Sequence, residues 1–427
     1  MSGGIRPVAG AYLLISGILL PQASLAQPAA YQDIPPGFDF PADEATLLHF
    51  RDTQNLAELR RHGWYVWAGL TQPAPGGEAV WETWFSGQET FDPAAAPQAM
   101  ADRQIQRRFQ VPRQFSDAAG PVPQAIGESL LSFTLFNQAT RAHIRGNNLH
   151  LQSTLTSIND QFTQNNTPGR DRRIDDFPRE AVALKTVWWA ISGTGLTPLP
   201  VWDFDPVNAN SAGNNFNTWR RVVAIDPSRE VIPADETADI SLGGVSKPNS
   251  RVIPLSRMYH FELETQEQVD AVNNETAAQF SLGRPAAIGD YVALVALHYT
   301  TKEIPDWVWG TFWWHDEPNG GPYGMDRPAL VAGVWRNYLM DIAYSMVTPR
   351  EFEGTPNSVY NPWLEARFQQ GLSSNCMTCH QRSVWRNGAF VPFLPVTTGG
   401  LLPDDPYFND SLQLDFLWSI NLESSAQ

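Results

Sequence analysis

Cysteine is nearly absent: the 427-residue chain has two, Cys376 and Cys379. Without a second pair, a zinc site would need distant histidines to reach about four N/S ligands. Lysine is almost as scarce, with Lys185, Lys247 and Lys302 against 26 arginines (29 basic residues less three); this reads as compositional bias without functional meaning. Positive charge is in deficit overall, and the net charge of -16 argues against nucleic acid and anionic lipid as partners; it reads first as a solubilising surface, and it would also suit a basic redox partner protein. No GxSxG elbow, HExxH, phosphate-binding glycine loop, calcium loop or internal repeat occurs. A hydrolase would need a constellation scattered along the chain. No methionine follows Met377 and no histidine follows His380.

What is present starts from Asn375-Cys376-Met377-Thr378-Cys379-His380. The spacing puts both thiols on one face of a helical turn, where they can form thioethers with the two vinyl groups of one haem, and the adjacent imidazole can reach the iron. Asn375 suits the N-cap of that turn. A local disulfide and half of a zinc site are the other readings. A thioredoxin-like pair would follow a strand, whereas residues 361–371 read as a short capped helix.

Residues 1–26 read as a cleaved secretory signal: Arg6, an apolar run over 8–20 too short to span a bilayer, and small residues at 24–26. Arg6 is the only charged residue in that stretch, so the mature chain would carry -17. Export to the periplasm by the general route, with no lipid anchor and no membrane span, is the context in which a c-type haem is attached.

The body, 27–355, is expected to be β-rich and tryptophan-rich, followed by a mostly helical haem-binding segment over 356–427, giving an α+β fold. A helix is expected over 41–63, closed by Gly63, with strands or buried loops over 64–70 and 80–85. Further strands are expected over 132–137, 149–155, 181–189, 219–225, 259–264 and 291–300, with surface loops over 159–178 and 207–217. His260, Glu262 and Glu264 share one face of their strand, by default a solvated one. Residues 307–314 form an aromatic strand buried on both faces. Residues 331–346 read as a helix with Trp335, Leu339, Ile342 and Met346 on one face. The segment 356–427 is too small to enclose a haem alone, so the body would supply the distal wall.

The motif Cys376-Met377-Thr378-Cys379-His380 resembles the attachment site of c-type cytochromes. Residues 361–366, and 305–312 with His315, resemble a group of large exported bacterial mono-haem cytochrome c family proteins. The resemblance implies thioether linkage at Cys376 and Cys379 and proximal iron ligation by His380. The missing downstream methionine departs from the small electron-transfer cytochromes, so a sixth ligand must come from upstream or be absent. His315 leads the candidates because it follows the aromatic strand and precedes a loop; His298, Met340, Met346, His260 and Met325 follow. Single-electron transfer is the first functional expectation. The alternatives are a haem enzyme, peroxidase or oxygenase, with His315 and Arg336 over an open iron, and a tryptophan-lined binding module with haem as reporter.

Overall fold

The structure is a computed structural model, which describes residue 1 and residues 31–95, 130–203, 219–274, 277–346, 358–365, 374–389, 391 and 400–426. The signal at 2–26, the loop at 207–217 and the helix expected over 366–371 lie outside the described residues.

In chain order the main elements are α1 (Glu44–Asp52), α2 (Leu56–Leu70), β1 (Phe85–Ser86), α3 (Gly87–Phe91), β2 (Leu131–Phe136), α4 (Gln138–Gly146), α5 (Gln152–Gln164), β3 (Val182–Ile191), β4 (Thr197–Val201), β5 (Arg221–Asp226), β6 (Thr237–Leu242) and β7 (Val245–Pro254). There follow β8 (His260–Glu262), α6 (Gln266–Asn273), α7 (Ala277–Leu282), β9 (Tyr291–Thr301), β10 (Val308–Trp314), β11 (Tyr338–Ala343), α8 (Cys376–His380), β12 (Val384–Trp385), β13 (Leu412–Gln413) and α9 (Trp418–Glu423). The fold is α+β with a β-rich body, as expected.

An antiparallel sheet in the order β1-β2-β3-β9-β10-β11, with β8 beside β9, forms the centre. A second sheet, β4-β5-β7-β6, contains one parallel pair, β5 with β7. The central strands are long apolar runs because both faces are covered; every residue of β10 and β11 is buried. One face carries Tyr299, Phe312, Met340 and Ile342 and lies under α2, whose Trp67 ring stacks on Phe312 at 4.1 Å. The other face carries His298, Trp309, Thr311 and Asp341 and lies under the C-terminal segment.

Several expectations are corrected. Residues 64–70 belong to α2: capped by Asn55, this helix is enclosed on most sides, so its continuous aromatic run carries no helical period. Gly63 sits inside it and leaves room for the sheet, since a Cβ there would meet Ile342 Cδ1 at 2.4 Å. Residues 80–85 hold a single 3-10 turn, Val80–Thr83, ahead of β1. Residues 149–155 lead into α5, which also occupies the first part of the loop expected over 159–178. Residues 331–346 are a 3-10 turn and strand β11, because pairing with β10 outweighs the local spacing. Residues 361–365 form a turn. Among the described residues, no helix is long and apolar enough to cross a membrane.

Candidate functional site

Asn375 caps the turn α8, its side chain accepting from Met377 N at 3.0 Å. Thr378 Oγ1 donates to Asn375 O at 2.7 Å, and Met377 and Thr378 are buried against the body. Cys376 N donates to Val359 O at 3.1 Å, which joins the turn to the strand-like pair Val359↔Asn375. Two residues on, the fully buried Asn361 amide donates to Thr311 Oγ1 (2.9 Å) and Phe312 O (3.1 Å). The motif is thereby fastened to the middle of β10. The His380 ring packs on the Trp309 ring, centroids 4.1 Å apart.

Both thiols are free. Burial is the chief cause that raises them, Cys376 well above its ordinary range and Cys379 to about 12, so both are neutral. His380 Nδ1 is 2.8 Å from Phe416 O, a contact that requires a proton on Nδ1 and leaves the Nε2 lone pair available. Nε2 has no hydrogen-bond partner among the described residues. Burial lowers His380 to about 4, the Phe416 bond opposing and Lys185 adding to the fall. The carbonyl that holds it comes from a turn in which Asp415 and Phe416 both adopt left-handed backbone, with φ of 46° and 68°. Asp415, its side chain fully buried, accepts from Lys302 Nζ at 2.7 Å and Phe177 N at 3.2 Å.

Facing the turn, the sheet presents a polar row of cross-strand partners: Thr134, Lys185, His298, Thr311 and Asp341. In β2 and β3 the only accessible positions are Thr134 and Lys185, and in the interior of β9 the only one is His298. Cys376, Cys379, His380 and Glu365 are likewise only half-buried. Yet burial is the chief cause of the shifts at His298, lowered to about 3, and Glu365, raised to about 7. Residues that keep accessible surface while feeling strong desolvation line a recess, here between α8 and the centre of the sheet. A pair of neutral thiols, a tautomer-fixed imidazole and such a space fit a covalently attached haem. The space has no rival cluster: no group of three or more metal-ligating side chains occurs among the described residues.

His315 is not brought to this site. It follows β10, six positions beyond Trp309, or about 20 Å along a strand. Its Nε2 is 3.2 Å from Asp203 and its Nδ1 accepts from Glu317 N at 2.9 Å, within a cluster that includes Arg221 and Asp316. Burial opposes ionisation of Asp203, but the bonds from His315 and Arg221 outweigh it and bring the carboxyl down to about 2. Arg336 is bound to Pro328 O and Val331 O instead of joining His315. The structure thus places His315, the residue expected on the distal side, in a different cluster from the motif. His260 is bonded to Met258 O, Met325 is exposed, and Met340 lies on the α2 face. His298, by contrast, lies across the space from the motif; its alternation along β9 and the polar row it joins are the signals that point to it.

A separate cleft of about 1030 Å³ lies between the β3–β4 turn and α7. Its one titratable side chain, Arg284, is held by Asp290 at 2.6 and 2.7 Å. Fold and site together define an α+β protein with a CxxCH turn docked on the face of an antiparallel sheet. No family model, curated protein or solved structure matches the chain.

Proposed function

We propose that this is an exported, periplasmic mono-haem c-type cytochrome that binds one haem c covalently and passes single electrons to or from a redox partner protein. The supporting observation is the set of groups gathered in α8 against the sheet: two unbridged thiols three positions apart and a histidine whose Nδ1 is tied to Phe416 O. Cys376 and Cys379 would hold the haem vinyl carbons, His380 Nε2 would bind the iron, and Trp309 shields the imidazole from water. A haem so held supplies reversible one-electron chemistry between ferric and ferrous iron. The acidic chain suits a basic partner.

The Lys185–His298 pair on the sheet supports a second reading, a peroxidase or oxygenase in which these side chains meet a substrate at an open iron. Carbon monoxide separates the two: the electron-transfer protein is indifferent to it and the enzyme binds it when reduced. The haem reading itself is tested by the double variant Cys376→Ala, Cys379→Ala, expressed in a periplasm that matures c-type haem. The expected result is loss of all haem that survives denaturing electrophoresis. Haem retained covalently by the double variant would overturn the reading.

A further inference from the structure

We propose that His298 is the sixth ligand of the iron, completing a bis-histidine site with His380; the inference rests on the haem reading above. It begins with an anomaly in burial. β9 is an eleven-residue central strand in which every interior position is buried except His298. Its direct partner on β3, Lys185, and the partner of Lys185 on β2, Thr134, are the only accessible positions of their own strands. Three adjacent strands therefore open at the same row, in the middle of the sheet, where the covering segment carries the motif.

Register gives the second observation. Thr311, opposite His298, bonds Asn361, and Trp309, one row along on the same strand and face, packs on His380 at 4.1 Å. Diagonal neighbours on one face of a sheet lie about 7–8 Å apart. His298 thus stands beside the residue that His380 touches.

The third observation is hydrogen bonding. The buried His62 satisfies both ring nitrogens, through Tyr344 and Glu303. His298 has no hydrogen-bond partner among the described residues. A competing donor is Met346, which packs against the same apolar cluster as Cys376, with its sulfur beside Gly400.

The test compares optical and electron paramagnetic resonance spectra of the purified, haem-loaded wild type, His298→Ala and Met346→Ala. The wild type is expected to be low-spin in both oxidation states and indifferent to carbon monoxide. His298→Ala should lose the low-spin signal, bind carbon monoxide when reduced and regain low-spin character with added imidazole, while Met346→Ala matches wild type. Should His298→Ala not fold, His298→Met keeps a donor atom and should remain low-spin with a raised reduction potential; an unchanged potential there would refute ligation by His298. A high-spin wild type, a low-spin His298→Ala, or loss of low-spin character in Met346→Ala would each overturn the inference. Absence of covalent haem from the wild type would instead strike at the cytochrome reading itself.

Discussion

Two of the three lysines have structural roles that composition conceals. Lys185 keeps accessible surface in the middle of the sheet, paired across strands with His298. Lys302, 4% exposed, joins the body to the C-terminal segment through Asp415 and also donates to Pro305 O at 2.7 Å. Its partner Asp415 begins the left-handed turn whose next carbonyl, Phe416 O, receives the His380 proton. Lys302→Met should leave the buried Asp415 carboxylate with only Phe177 N and, at 3.9 Å, the half-exposed Arg173 guanidinium, at a cost of up to about 3 kcal/mol. Urea unfolding checks this, and adding Asp415→Asn should recover part of the loss; unaltered stability in Lys302→Met would contradict the assignment. The cysteines, His380 and the Asn375 cap are legible in the sequence because thioether chemistry and helix capping are local. Lys302 and Asp415 are 113 positions apart and meet only through the fold. Chain order likewise favours His315 over His298, because the aromatic strand draws attention to its own end; register on the sheet reverses that order.

At the scale of elements, strands are the more legible part. β2, β3, β5, β8, β9 and β10 fall where β-branched and aromatic runs between turn residues point to them. α2 and β11 depart from the sequence pattern for different reasons: enclosure of the second half of α2 erases the polar face that marks a helix, and pairing with β10 overrides the helical spacing of β11. α2 also depends on close approach to the sheet at Gly63, whose carbonyl accepts from Tyr299 Oη at 3.1 Å. Gly63→Val would drive a side chain into Ile342 and Met340. A loss of about 1–3 kcal/mol is expected from such overpacking, read as a lower unfolding midpoint in urea. A variant as stable as wild type would mean that the helix can lift from the sheet without penalty.

Across the whole molecule, the division near residue 355 describes the chain better than the core. One hydrophobic cluster takes Phe136, Trp309 and Ala343 from the body together with Met377, Trp385 and Leu412 from the C-terminal segment. Bridges at Leu151↔Ser425 and Arg173↔Gln413 stitch the two parts further. The body therefore packs directly against the segment that carries the motif. Its large Trp-rich part contributes there directly, since Trp309 covers the His380 ring and β9 carries His298. The overall α+β class is legible from the texture of the sequence; this shared core is not, because it is built from contacts between residues hundreds of positions apart. The most direct measurement is a pyridine haemochrome spectrum of the purified protein after maturation in a host that attaches c-type haem, with acid–acetone extraction before it. One haem per chain that resists extraction and carries the signature of two saturated vinyl groups is the expected result. A colourless protein, or haem that extracts freely, would contradict covalent haem attachment and with it the cytochrome reading.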